Sequence, residues 1–157
     1  MRHNQEAIPE YEMAIAWNRN WADAFAGLGW CKFWIGSFEE AIAWHEEAMR
    51  LSPRDPRDAH LRMHVAISYY FERDYARAVE AARQAIARHP EHPGAYRWLA
   101  AALGQAGRTD EASVALSKAR EVSPQSFDTN VRNRPAWFRP ENYEHLLDGL
   151  RKAGWDG

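Results

Sequence analysis

The sequence predicts an all-α protein, built as a right-handed superhelical array of helical hairpins with a C-terminal capping helix. The first observation is an internal repeat: similar blocks end at Pro53, Pro90 and Pro124, with a period of about 34 residues. The second is that each block holds two apolar helical segments separated by a turn. The third is a pair of alanines seven residues apart in every second segment, where small side chains let helices touch. These pairs are Ala41 and Ala48, Ala78 and Ala85, and Ala112 and Ala119.

Three hairpins follow from these blocks, at residues 22–53, 59–90 and 93–124. A proline closes each second helix, because proline cannot continue a helix and restrains the residue before it. The turn inside each block falls where Gly relaxes the backbone or Asp caps the next helix. Between the first two blocks the insertion RDPRD, residues 54–58, predicts a local gap between adjacent hairpins.

Both flanks of the array differ from the repeats. Residues 1–20 carry only the second-helix pattern, with Ala7 and Ala14 at the same spacing, so an orphan second helix is expected there. We therefore expect a chain cut from a longer array, or one that begins abruptly. Residues 125–157 are expected to form an irregular segment over 125–140 and then the capping helix. The apolar stripe of that helix is Tyr143, Leu146, Leu147 and Leu150.

The repeats carry a recognisable family pattern, W-x₂-L-G-x₂-Y…A-x₃-F…P. The residues that match its first part are Phe25, Leu28 and Gly29 in the first block, Val65, Ala66 and Tyr69 in the second, and Tyr96, Leu99, Ala100 and Leu103 in the third. At these positions the chain resembles the tetratricopeptide repeat family. The resemblance implies an α-solenoid whose first helices line a concave groove for a protein or peptide segment.

A second resemblance covers residues from about 50 to 155. The stretches LSPRDP, HPEHPGAYRWLAAALGQAGRTDEA and RPAWFRPENYEHLLDGLRKAGW look like the C-terminal repeat region of bacterial class III adenylate/guanylate cyclase-like proteins. This resemblance implies a bacterial signalling protein whose catalytic domain lies outside these residues. It also implies an alternative function, a regulatory or dimerising tail with no diffusible ligand of its own.

Composition argues against several classes of function. A formal net charge of −2 gives no field to attract nucleic acid or an anionic membrane. The single cysteine, Cys31, cannot form an internal disulfide and favours a reducing compartment, so we expect a cytoplasmic protein. No apolar run is long enough to cross a membrane.

Neither a cofactor, a metal nor a catalytic residue is predicted. Gly27 and Gly29 begin a G-x-G pattern, but Lys32 stands where a phosphate-binding loop needs its third glycine. His60 and His64 have the i, i+4 spacing of a two-histidine metal site, yet the catalytic Glu that follows the first histidine in H-E-x-x-H is missing. No motif places a nucleophile beside a base. The sequence therefore predicts a protein that is not an enzyme.

Aromatic side chains recur on the first helices and predict a protein-binding groove there. We expect Trp30, Trp34, Tyr70 and Trp98 to anchor a partner segment, because large aromatics dominate interface energies. The residues assigned to this groove are Trp30, Phe33, Trp34, Met63, His64, Ile67, Tyr70, Phe71, Arg97 and Trp98. Some relatives bind a C-terminal carboxylate in such a groove, but the corresponding positions here are Ala26, Trp30, His64, Gly94 and Trp98, which argues against that mode.

The orphan helix also predicts self-association. Its apolar residues are Ile8, Tyr11, Ile15 and Trp17, and only part of this surface can pack against the next helix. Apolar surface left in water forgoes about 25 cal/mol per Å². Three outcomes can follow: further repeats in a longer chain, a second copy docked edge to edge as a twofold dimer, or a frayed first helix. For the isolated chain we favour the homodimer through this N-terminal edge.

Overall fold

The described part of the chain is helical throughout. The computed structural model describes residues 2–92, 94–134 and 138–157, with Arg2 described by its backbone only. Pro93, the first residue of the third predicted hairpin, and residues 135–137 of the predicted irregular segment lie outside the described residues. The helices are α1 Arg2–Trp17, α2 Ala22–Ile35, α3 Phe38–Leu51, α4 Asp58–Phe71, α5 Tyr75–Arg88, α6 Ala95–Gln105, α7 Thr109–Val122, α8 Pro124–Arg132 and α9 Pro140–Lys152. Within those ranges no strand forms, which confirms the all-α prediction.

The chain divides into two compact units. Unit 1 runs up to Glu72 and contains α1 to α4, and unit 2 runs from Arg73 and contains α5 to α9. The boundary falls inside the second predicted hairpin, residues 59–90. The hairpin boundaries themselves stay a prediction. No helix among those described is both long and apolar enough to span a lipid bilayer.

Small residues allow close helix packing in unit 1. Ala41 and Ala48 on α3 are fully buried, as their seven-residue spacing predicts. Phe25 and Leu61 complete a core cluster with Ala26 and Ala48. Helix α2 ends at Gly36, which adopts a left-handed φ of 89° that a residue with a Cβ atom rarely takes.

Unit 2 buries the corresponding alanines of α5 and α7 and the predicted stripe of α9. Asp74 begins α5, and its side chain accepts a hydrogen bond from the Arg77 backbone N–H at 3.0 Å. Tyr143, the first residue of the α9 stripe, is buried, and its hydroxyl donates to the Val131 carbonyl at 2.9 Å. The capping helix is therefore held by side-chain packing and by a buried hydrogen bond.

The prediction of an irregular segment is wrong for residues 125–132, which belong to α8. Pro124 occupies the first turn, where its missing N–H costs nothing. Phe127 and Val131 lie one turn apart and are both buried, at 1% and 2% exposure. The burial of these two side chains on one face stabilises the helix, although the other residues of the segment are mostly polar, as in a loop.

Candidate functional site

A cavity of about 430 Å³ lies in unit 1. Three of the predicted groove residues, Trp30, Trp34 and His64, line it. Its other lining residues are Asn4, Tyr11, Gly27, Cys31 and His60. The site therefore combines side chains of α1, α2 and α4.

Helical spacing brings these side chains to one face. Trp30 and Trp34 are one turn apart on α2, and His60 and His64 are one turn apart on α4. Helix α1 contributes Tyr11, whose ring lies directly against α2.

Gly27 makes that contact between α1 and α2 possible. A Cβ atom added to Gly27 would lie 2.3 Å from Cε1 of Tyr11, far inside van der Waals distance. Any larger residue at this position would displace the Tyr11 ring from the backbone of α2, so Gly27 acts as a packing residue. This agrees with the absence of a phosphate-loop pattern.

Aromatic rings fix the position of His64. Phe33 stacks on the His64 ring, with centroids 4.4 Å apart and an interplanar angle of 3°. Trp30 and Trp34 approach the same ring edge-on, at 6.4 and 6.1 Å. The imidazole is thus held between three aromatic side chains, and its rotamer is set before any ligand arrives.

His45 lies behind the cavity and was missed by the sequence analysis. It is 0% exposed, its ring centroid is 5.4 Å from that of His64, and neither of its ring nitrogens has a hydrogen-bond partner. Burial, with a smaller contribution from His64, lowers the pKa of His45 to about 3. The signal that could have found it is its place in the buried stripe of α3 with Ala41, Ile42 and Ala48.

The insertion at residues 54–58 contacts Trp30 of the cavity through Arg57. The sequence analysis predicted a gap between adjacent hairpins at this insertion. The guanidinium of Arg57 lies 5.6 Å from the Trp30 ring, within range of a cation–π interaction. Arg57 also pairs with Asp55 at 2.7 Å and with Asp23 on α2. The hydrogen bond from Arg57 is the main cause that lowers the pKa of the Asp55 carboxyl. The gap prediction is therefore wrong, because an ion-pair network ties the insertion to α2.

Two of the four predicted anchors are not on the surface. Tyr70 is 1% exposed and packs against Phe71, with ring centroids 5.6 Å apart. Trp98 is 6% exposed and meets Phe138 edge-on at 6.3 Å. Both side chains serve as core, so neither offers a surface to a partner.

The remaining predicted groove residues also differ in exposure. Phe33 and Met63 are buried in unit 1, and Arg97 is buried in unit 2. Ile67 and Phe71 are half-buried. The structure therefore brings Trp30, Trp34 and His64 together in one cavity and leaves most of the other assigned residues in the core.

The N-terminal edge has a larger exposed face than predicted. Ile8, Tyr11 and Ile15 are half-buried, and Trp17 is 83% exposed. Sequence analysis missed two further exposed apolar residues, Met13 at 51% and Trp21 at 49%. Met13 lies four residues before Trp17 on α1, so the i, i+4 spacing was the signal that could have identified it. Trp21 precedes α2 outside any helix, and no periodic signal marks it.

Two further kinds of site were considered among the described residues, a metal site and a reactive cysteine. No group of three or more His, Cys, Asp or Glu side chains in those ranges could hold a metal ion. Cys31 is buried, and burial raises the pKa of its thiol, which disfavours the reactive thiolate.

Comparison with known proteins identifies the kind of array. A tetratricopeptide repeat family model matches residues 72–132, which is less than half of the chain. MamA has a TM-score of 0.73 at 19% identity, covering 96% of this chain and 86% of that one. YrrB, described as a TPR protein with an unusual peptide-binding site, has a TM-score of 0.69 at 21% identity, covering 97% and 77%. TTC0263 of Thermus thermophilus, described as a thermophilic TPR protein, has a TM-score of 0.63 at 22% identity, covering 90% and 72%.

At these identities the similarity to solved structures shows the fold alone. No curated protein sequence matches the chain significantly. The resemblance to cyclase-associated tails finds no support in the family match or in these structures. The tetratricopeptide repeat match is thus limited to residues 72–132, and over the rest of the chain the comparisons show an all-helical fold shared with these repeat structures.

Proposed function

We propose that this chain is a protein-interaction module that binds a segment of a partner protein in the cavity of unit 1. The observation that carries the proposal is that Trp30, Trp34 and His64 meet in one cavity of about 430 Å³. Cavities lined by aromatic side chains with a few polar groups are typical ligand sites. Tetratricopeptide repeat proteins typically bind peptides or proteins, and YrrB is described as having a peptide-binding site.

Preorganisation supports this use of the cavity. Three aromatic rings surround His64, and the Arg57 guanidinium lies beside Trp30. Side chains that are already held by packing lose little conformational entropy when a ligand binds. The indoles of Trp30 and Trp34 are half-buried, so each is held by packing and still exposes part of its surface to a ligand.

The chemistry of the cavity favours an apolar or aromatic-containing segment. Its surfaces are the two indoles, the Tyr11 ring and the two imidazoles of α4. Indole and phenol rings contribute the largest share of binding energy in protein interfaces. An extended peptide or one face of a helix presents side chains at a spacing that can enter such a cavity.

Other expectations from the sequence stay predictions. They are a bacterial and cytoplasmic setting, a signalling context, and the lack of enzymatic activity and of nucleic-acid or membrane binding. The alternative function, a regulatory or dimerising tail of a cyclase-like enzyme, is favoured by no observation on the described residues. Inspection of the reading frame for a cyclase domain tests it directly.

The test of the proposed function is a peptide-library selection on the full chain, followed by affinity measurement with the selected peptide. We expect Trp34→Ala to weaken that affinity at least about tenfold, because truncation of an interface tryptophan removes a large share of the binding energy. Trp17→Ala is the matched control, since Trp17 is 83% exposed and outside the cavity. Equal affinities for the two variants, with circular dichroism showing both folded, would contradict the proposal.

A further inference from the structure

A groove of about 710 Å³ lies in unit 2, apart from the cavity already described. Its floor is a stripe of α6 made of Tyr96, Leu99 and Leu103, which follow one another at three and four residues. Helix α7 adds Val114 and Ala115. A volume of this order falls in the range that ligand sites occupy, about 300–1,000 Å³.

This groove differs from the aromatic groove predicted from the sequence. None of the ten residues assigned to that groove lines it, and these include Trp98 on the same helix. The helical period explains the difference, because Tyr96, Leu99 and Leu103 lie on one stripe of α6 and Trp98 lies on another. The groove of unit 2 is therefore a second surface of the repeat array.

Val114 leaves apolar surface in water beside this floor. It is 71% exposed, and among the described residues of unit 2 it is the one exposed large apolar residue. Leu99 and Leu103 are 8% and 1% exposed, so the apolar surface continues from the rim into the core. Exposed apolar surface of this kind is typical of an interaction site.

Ion pairs already occupy the basic side chains that line the groove. Arg83 of α5 donates to Glu111 at 2.6 Å, and Lys118 donates to Glu121 at 2.7 Å. Glu111 also accepts two hydrogen bonds from Arg108, which lies outside the lining. An acidic ligand would therefore have to break one of these pairs.

Asp110 is the lining charge that lacks such a partner. It is exposed, and its carboxylate makes no ion pair or hydrogen bond with any other described residue. It lies in the first turn of α7, where the helix dipole favours a negative charge. Val114 follows four residues later, so the carboxylate and the exposed apolar side chain share one face of α7.

We propose that this groove binds a segment of a partner protein that carries apolar side chains next to a lysine or an arginine. The apolar side chains cover Val114 and the floor at Tyr96 and Leu99, and the cation pairs with Asp110. Two basic and three acidic residues line the groove, so the lining keeps one negative charge that a basic segment balances. Such complementarity selects the partner and orients it, while apolar contact supplies affinity.

The binding of this segment is independent of the function proposed for unit 1, because the groove and the cavity share no lining residue. Trp34→Ala should therefore leave binding in the groove unchanged. Asp110→Asn should leave the affinity for the peptide selected on unit 1 unchanged. Failure of one proposal is thus distinguishable from failure of the other.

The experiment is a nuclear magnetic resonance titration of the full chain with three blocked pentapeptides, Leu-Ala-Arg-Ala-Leu, Leu-Ala-Glu-Ala-Leu and Ser-Ala-Arg-Ala-Ser. The Val114 methyl signals are assigned by their absence in Val114→Ser. We expect them to shift saturably with the first peptide, which should bind at least about threefold more tightly than the second, as an exposed ion pair allows. The third peptide should cause no saturable shift, because it lacks the apolar side chains.

Three results would overturn the proposal. They are no saturable shift with the first peptide, equal affinity for the first two peptides, and equal affinity for the first and third. Methyl signals of Val114 that move with protein concentration alone would assign the groove to a second copy of the chain, which also overturns it.

Asp110→Asn is the decisive variant. Asp110 is exposed, so the fold should persist, and the preference for the arginine peptide over the glutamate peptide should disappear. Asp128→Asn is the matched control, because the Asp128 side chain is 60% exposed on α8 and lies outside the groove. A preference that survives Asp110→Asn, or that Asp128→Asn removes equally, would refute the pairing of the partner's cation with Asp110.

Discussion

Gly104 of α6 lies so close to α9 that a Cβ atom added to it would be 2.2 Å from the carbonyl oxygen of Gly149. The same atom would be 3.1 Å from the backbone nitrogen of Ala153. Both neighbours are backbone atoms, which cannot rotate away as a side chain can. The contact therefore requires glycine at position 104, and it sets how closely the capping helix approaches α6.

Gly104→Ala is expected to destabilise unit 2. Overpacking of a close contact costs about 1–3 kcal/mol, more than the gain of up to about 1 kcal/mol from the higher helix propensity of alanine. The measurement is the free energy of unfolding in urea. Gly94→Ala is the matched control, since its new Cβ atom meets only ordinary contacts. Similar unfolding free energies for both variants would show that α6 and α9 are less closely packed than described.

Gly27 and Tyr11 are expected to be coupled energetically. Gly27→Ala places a Cβ atom 2.3 Å from the Tyr11 ring, so it should lower the free energy of unfolding by about 1–3 kcal/mol. In a Tyr11→Ala background the clash is absent, and the same substitution should cost much less. A double-mutant cycle measures this coupling. Additive effects of the two substitutions would mean that the ring does not lie against α2.

Stability should fall in acid because of His45. Its pKa is lowered from 6.5 to about 3 in the folded state, so the unfolded state binds more protons between these values. The stabilisation is present above pH 6.5 and is lost as the pH falls toward 3, with a slope of up to about 1.4 kcal/mol per pH unit. His45→Leu should flatten this dependence in urea unfolding at pH 7, 6, 5 and 4.

A second variant separates His45 from another partly buried histidine. Burial also lowers the pKa of His145, so His145→Gln is measured alongside, and His45→Leu should flatten the pH dependence more. An equally steep loss of stability in acid for His45→Leu would show that other groups cause it.

Self-association is expected to depend on Trp17. Trp17 is the most exposed large apolar residue of this edge, whereas Tyr11, which sequence analysis also placed there, packs on Gly27. Light scattering at low micromolar concentration should therefore give a dimer for the wild type and a monomer for Trp17→Glu, because a buried carboxylate opposes association.

The control for this experiment is Val114→Glu in unit 2. Val114 is 71% exposed and lies far along the chain from the N-terminal edge, so this variant should remain dimeric. A monomeric wild type would contradict the prediction outright.

Local signals in the sequence were enough to predict the helices of the three hairpins and the capping helix. Prolines and turn residues end a helix through bonds to their neighbours in the chain, so the first predicted hairpin begins at residue 22, where α2 begins. The buried stripe of α9 followed from apolar spacing alone. Helix α8 was missed because two apolar residues, Phe127 and Val131, give too weak a period to be distinguished from a loop.

Tertiary structure decided which of the aromatic residues form a site. Periodicity places a side chain on a face of its own helix, but burial depends on what the neighbouring helices bring to that face. Tyr70 and Trp98 therefore share the predicted pattern of Trp30 and Trp34, yet they lie in the core.

The same reasoning explains the buried histidine. His45 fits inside unit 1 because Gly29 has no side chain: a Cβ atom there would lie 2.5 Å from Cδ2 of His45. Sequence alone matched Gly29 to the repeat pattern. Only the packed structure shows that the space it leaves is filled by an imidazole, because that contact joins residues from two helices whose separation no local pattern specifies.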